Sequence, residues 1–181
     1  MERKNLRDRE GFAEEQEELD ERVVDIARVA KVVKGGRTFH FRVVAIVGDN
    51  KGQVGLGIGK ARNVPDAIAK ATERARRDMH PIALEGSTIP HEITGRCGGA
   101  RVFLRPASHG TGVIAGGGVR ALLEAVGVRD VLTKSQGSAT QVNVAQATMD
   151  ALNKLRWVEQ VAEDRGVPEA RVMPFWLRRK A

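Results

Sequence analysis

Tyrosine is absent from this 181-residue chain, and aromatic residues make up only 4% of it. Its cores must therefore be filled by Val, Ile, Leu and Ala. Little material is left for the aromatic platforms on which single-strand binders stack bases. Cys97 is the one cysteine, which excludes an intrachain disulfide and a cysteine-cluster zinc site. It reads as a small buried residue; a nucleophile would need a partner such as His91 or His109, and no spacing singles either out. The N-terminal MERKNLRDRE has no apolar stretch, and the longest unbroken aliphatic run is Val43 to Val47. No export signal or membrane span is expected, which points to a soluble cytoplasmic protein.

Basic charge is plentiful and unevenly placed. The net charge is +7 and the isoelectric point is near 10.1. Residues 1–21 hold nine acids against four bases, including the cluster EEQEELDE, and read as an acidic, flexible leader. Residues 22–80 hold 13 bases against five acids. An anionic partner is implied for this part of the chain.

The segment 31–62 is the most informative. Residues 22–34 are rich in Val and Ile and suit a strand. Gly35-Gly36 supplies a tight turn flanked by Lys34 and Arg37, and a second strand follows from Thr38 to Val47. Its alternation predicts a core face of Phe39, Phe41, Val43, Ala45 and Val47, and a wet face of Thr38, His40 and Arg42. Gly48 to Gly52 is a turn carrying Lys51, and Gln53 to Lys60 is a third strand with Gly55, Gly57 and Gly59 on one face. Three such glycines require close approach by a packed helix or by a nucleic-acid backbone.

Asn63, Pro65 and Asp66 mark a helix start. Val64, Ile68, Ala71, Ala75 and Met79 form its expected buried stripe. Lys70, Arg74 and Arg77 share another face and, with Lys60 and Arg62, form a cationic ridge. His80-Pro81 ends the helix. Strands are expected at Ser87–Thr94 and Arg101–Arg105, then a glycine-rich loop at 110–118. A helix capped by Gly127, a strand at Val128–Lys134 and a helix at Gln141–Trp157 follow. The ending VMPFWLRRKA groups Met173, Phe175 and Trp176 before three cations and suits docking of a partner or RNA.

Two motifs suggest enzymes. Gly110 to Ala115 satisfies G-x-G-x-x-G/A, with Asp130 twenty residues on. The alternative reading is thus a dinucleotide-binding enzyme domain, but Pro106 to His109 separate strand from glycine where the fingerprint wants a direct turn. Gly59-Lys60-Ala61 fails as a phosphate loop, with Val54 in place of the first glycine and Ala61 in place of Ser or Thr. The four histidines are scattered, which fits surface or RNA contact by His40 and His109 better than metal ligation.

Three strands followed by a basic-faced helix are the core of a double-stranded-RNA-binding module, which reads shape through phosphates and 2′-hydroxyls. Lys31, Lys34, Arg37, Arg42, Lys51, Lys60, Arg62, Lys70, Arg74 and Arg77 are the candidate phosphate contacts, joined by Lys134 in the second half. The run RVAKVVKGGRTFHFRVVAIVGDNKGQVGLGIGKARNVPDAIAKA, then TIPHEITG, SHGTGVIAGGGVRALLEAVGVRDVLTKSQGS and NVAQATMDAL, closely resembles the family of bacterial small-subunit ribosomal protein five. The likeness covers roughly residues 22–156. Residues 136–141 depart from it, standing where many relatives have an Asn-Pro-containing turn.

The resemblance implies an α+β protein: a double-stranded-RNA-binding-like β-β-β-α domain at 22–81 and a split β-α-β-α domain with a left-handed crossover at 82–157. The leader at 1–21 and an extension at 158–181 flank them. It implies no enzyme activity, cofactor, metal, membrane or small-molecule substrate. Its implied partners are small-subunit ribosomal RNA, ribosomal proteins four and eight, and messenger RNA where it enters the subunit. The hairpin matching Ala30 to Arg37 would reach ribosomal RNA, and Gly112 and Arg120, with Arg129 beside them, would face protein four and bear on decoding accuracy.

Overall fold

The computed structural model describes residues 19–173. Strands β1 (Asp20–Val33), β2 (Gly36–Gly48) and β3 (Gln53–Ala61) form an antiparallel meander, edged by the two-residue β4 (His80–Pro81). Pairing begins at Asp20, inside the stretch expected to be leader. Residues 1–18 of that leader and the aromatic residues Phe175 and Trp176 lie outside the described residues.

Helix α1 (Val64–Arg77) lies on this sheet, with Asn63 at its N-cap position and Pro65 in its first turn. The Asn63 side-chain amide donates to the Asp66 carboxylate at 3.4 Å, and its oxygen accepts no backbone amide, so the start signal works by conformation, not by a side-chain cap. Its fully buried residues are Ala67, Ala71 and Ala75; Ile68 is only half-buried. The expected stripe is therefore rotated toward the smallest side chains. The glycines explain this: a Cβ on Gly55, Gly57 or Gly59 would stand 1.9, 1.9 and 2.1 Å from the carbonyl oxygens of Ala75, Ala71 and Ala67. Close helix packing, not a nucleic-acid backbone, is what these glycines admit.

The second domain holds β5 (Ile93–Cys97), β6 (Ala100–Pro106), β7 (Val113–Ile114) and β8 (Val131–Gly137) in the order β5-β6-β8-β7, with β7 and β8 parallel. Helix α2 (Gly117–Val126) connects β7 to β8, and α3 (Gln141–Asn153) packs behind β5 and β6. The expected strand at 87–94 starts later because Pro90 cannot donate to a ladder. Ser87 and Thr88 instead fasten to the turn before β8: the Ser87 carbonyl accepts from the amides of Arg129 and Asp130. The expected helix to Trp157 stops at Asn153, which lets Leu155 turn inward. Two short helices, α4 (Val158–Arg165) and α5 (Glu169–Val172), follow.

Strand β2 departs most from expectation. One core face and one wet face are predicted, yet Val43 to Gly48 are all buried. Val43 and Ala45 pack with Ala67 and Ala71 of α1, while Val44 and Ile46 join a core containing Val102, Leu122 and Val126. The first sheet is thus a middle layer between α1 and the second domain. Backbone bonds tie the two: the amide of Asn50 donates to Ala125 at 3.0 Å and that of Gly52 to Val126 at 2.9 Å. Arg22 of β1 also pairs with Glu124 of α2.

Candidate nucleic-acid interface

Beyond α1 the β1–β2 ribbon continues with nothing packed on it. Every residue from Lys31 to Phe39 is exposed. The register pairs Val33 with Gly36, leaving Lys34 and Gly35 as a two-residue tip, and Gly35 takes a φ of +93° that disfavours any side chain. Lys31 is opposite Thr38 and Val32 is opposite Arg37, so Lys31 and Arg37 point to opposite faces of the ribbon. At its base the Arg28 guanidinium lies 3.9 Å from the Phe39 ring centre. The phenyl ring placed in the core by alternation is 45% exposed and serves this contact instead.

His40 and Arg42 follow on the ribbon face opposite α1, both half-buried. Arg42 is opposite Lys60 of β3 and 3.9 Å from Asp25, and its buried Nε has no hydrogen-bond partner. On the other side of β3, the guanidinium of Arg74 reaches the Ile58 carbonyl at 2.5 Å. Arg74 thereby reaches the strand that carries Lys60; Arg62 follows that strand directly, and Lys70 stands one helical turn before Arg74. Arg77 is paired with Glu73 on its own helix, which mutes the end of the expected ridge. Arg76, which the spacing did not single out, pairs with Glu21 at 2.5 Å and pins the start of β1.

Lys51 does not belong with these groups. It sits in the β2–β3 turn, at the far end of a 13-residue strand, ~40 Å from the hairpin tip. Its neighbours there are Ser87 and Arg129, which line one shallow depression with it. Arg120 stands on α2, and its guanidinium donates to the Val113 carbonyl at 3.3 Å. Lys134 lies on β8, opposite Phe103.

The glycine-rich loop is organised by Asp130. Its carboxylate, 4% exposed, accepts the amides of Gly110 and Gly112 at 3.0 Å each and the Ser87 hydroxyl at 2.7 Å. His109, almost fully exposed, lies 3.4 Å away. The Gly112 amide foremost, then Ser87, His109 and Gly110, hold this carboxyl down at about 2 against the opposing effect of burial. The dinucleotide reading fails here on geometry. The amides that would meet a pyrophosphate are spent on Asp130, and Asp130 is the acid that would have met the ribose. Sequence offered no sign of this inward role except that Asp130 follows the loop at a fixed distance.

Sequence comparison places this geometry. The description "Ribosomal protein S5, N-terminal domain" matches residues 19–83, and "Ribosomal protein S5, C-terminal domain" matches residues 95–165. The chain belongs to the ribosomal protein S5 family. Members similar to it include small ribosomal subunit protein uS5 of Rubrobacter xylanophilus, 55% identical over 83% of this chain and 75% of that protein. That of Psychromonas ingrahamii is 52% identical over 83% of this chain and 90% of its own length. That of Flavobacterium psychrophilum is 54% identical over 83% and 86%. The family match on the N-terminal side opens at the start of β1 and closes just after β4, so it includes the hairpin and the α1 ridge. The S5-family match on the C-terminal side takes in β6, the Asp130-held loop and α4. No helix of the described residues is long and apolar enough to cross a membrane.

Proposed function

We propose that this chain is a structural protein of the small ribosomal subunit that holds ribosomal RNA by electrostatic clamping, with no catalytic step. The observation that carries the reading is the bare ribbon tip. A core-poor, fully exposed pair of strands presents Lys31, Lys34 and Arg37, and none of these has an ion-pair partner among the described residues. Such cations are free to replace counterions on phosphates. Gly35 and Gly36 keep the tip thin enough to enter a groove. Lys60, Arg62, Lys70 and Arg74 form the second jaw, His40 and Arg42 add contacts on the sheet face away from α1, and Arg77 contributes once released from Glu73.

In this reading residues 22–81 form the RNA-binding domain and residues 82–157 the domain that meets protein. Gly112 and Arg120 face a neighbouring ribosomal protein, which the resemblance makes protein four. Protein eight and messenger RNA where it enters the subunit are further partners on the same ground. Arg129, with Lys51, serves a separate rim, and His109 and Lys134 contact RNA from the second domain. The test is filter binding of the full chain to small-subunit ribosomal RNA across a salt series. Lys34→Glu with Arg37→Glu should flatten the log–log salt dependence by about 0.9 per lost phosphate contact. Unchanged affinity and slope would overturn the clamp.

A further inference from the structure

The second sheet has a solvent face whose chemistry the hairpin clamp leaves unused. In β6, Val102 and Leu104 are fully buried, so Arg101, Phe103 and Arg105 point the other way. Directly opposite residues share a face, and the register sets Arg96 against Arg101 and Phe103 against Lys134. Arg96, Arg101, Arg105 and Lys134 are all exposed. None of the four has an ion-pair partner among the described residues. The paired part of this face carries no carboxylate; Glu92 lies one residue before β5 begins.

Two features make this more than a solvated surface. Like charges directly opposite on neighbouring strands repel, and Arg96 and Arg101 are held in that arrangement with no acid between them. Three of the four cations, Arg101, Arg105 and Lys134, sit on the two middle strands of the order β5-β6-β8-β7, with Arg96 beside them on β5, while the exposed apolar residues Leu132 and Ile114 lie toward the β7 edge. A protein-binding surface has the reverse plan, with charge at the rim and apolar groups at the centre. Phe103, half-buried and opposite Lys134, is the one aromatic residue on the paired part of this face.

We propose that this sheet face, with Arg96, Arg101, Arg105 and Lys134 on phosphates and Phe103 under one unpaired base, binds a single-stranded segment of RNA. The proposal rests on the RNA-binding reading above and extends it to a second site. The scarcity of aromatic residues is consistent with it, because four phosphate contacts and one stacked base need a single ring. Neutralisation by phosphate relieves the Arg96–Arg101 repulsion, so the bare sheet carries a strain that its partner removes.

Fluorescence anisotropy of the full chain with a short labelled single-stranded RNA, and separately with a duplex RNA hairpin, tests it. Arg101→Ser with Lys134→Ser should weaken single-strand binding by tenfold or more and flatten its salt slope by about 0.7 for each cation lost. Phe103→Leu should weaken it about tenfold with the slope unchanged, since stacking releases no counterions. Duplex binding should survive all three changes and fall with Lys34→Glu and Arg37→Glu. A thermal melt reports folding, and removal of Arg101 should leave the melting temperature equal or higher; Lys134→Gln alone serves if the double variant unfolds.

Unchanged single-strand affinity in the double variant overturns the site. So does loss of incorporation with purified small-subunit proteins while RNA affinity holds, which would make the face a protein interface. Equal competition by inorganic polyphosphate together with an inert Phe103→Leu would reduce it to a generic anion patch. If the hairpin variants bind the duplex normally, the clamp itself fails, whereas this site stands or falls on the single-strand result alone.

Discussion

A Cβ placed on Gly57 would stand 1.9 Å from the carbonyl oxygen of Ala71. Strand β3 and helix α1 therefore meet backbone to backbone, with no side-chain layer to yield. Gly57→Ala should destabilise the chain by about 1–3 kcal/mol, the usual cost of overpacking a site that cannot relax. In thermal denaturation that is a drop of ~2–4 °C per kcal/mol for a protein of this size. Gly117→Ala is the control: nothing lies within 4 Å of its added Cβ and its φ is not positive, so a gain of about 0.5–1 kcal/mol is expected.

Gly48 and Ala125 hold the two domains together in the same manner, with 2.1 Å between an added Cβ and the Ala125 carbonyl oxygen. Because Val44, Ile46 and Val54 of the first sheet share a core with Val126 and Val128, unfolding should be one transition. Calorimetry should give equal van't Hoff and calorimetric enthalpies for the native chain. Gly48→Val should lower the midpoint of that single transition, and a transition split in the native chain would show that the shared core does not couple the domains.

Asp130 sets a pH dependence. Its folded value, about 2, lies below the ordinary 3.8, so its stabilisation is complete above pH ~4 and is lost as pH falls toward 2. Acid titration of the melting temperature should show this decline in the native chain and a shallower one in Asp130→Asn. Hydrogen exchange gives a second readout: the amides of Gly110 and Gly112 both donate to Oδ1, which Asp130→Asn keeps as a weaker neutral acceptor and Asp130→Ala removes, so they should exchange fastest in Asp130→Ala.

Glu73 holds Arg77 on an exposed turn of α1. Glu73→Gln should free that cation, raise affinity for small-subunit RNA a few-fold at low salt and steepen the salt dependence by up to about 0.9. Exposed pairs of this kind contribute less than about 1 kcal/mol, so the melting temperature should hardly move. Weaker binding in this variant would place Arg77 away from the RNA.

The hairpin was legible because its signals are local. Gly35-Gly36 between two β-branched runs specifies a turn, and Lys31, Lys34 and Arg37 flank it whatever the rest of the chain does. The α1 ridge was half legible: spacing placed Lys70, Arg74 and Arg77 on one face but could not show that Glu73 lies in reach of Arg77. The distance of Lys51 from the hairpin was not legible, because a charge count carries no distance and β2 takes it to the opposite end of the sheet. The cations Arg96, Arg101 and Arg105 were passed over because only cross-strand register brings them beside Lys134.

By itself the sequence determined the order of the longer strands and helices, the basic ribbon and the need for close packing at Gly55, Gly57 and Gly59. Periodicity, turn residues and missing side chains are properties of neighbouring residues. Tertiary structure alone decided which body fills the space over those glycines, that β2 is buried on both faces, and that Asp130 holds the Gly110–Gly112 loop. Each of these depends on segments far apart in the chain meeting at contact distance, as Val44 meets Val126 in one core, and no local pattern encodes that meeting.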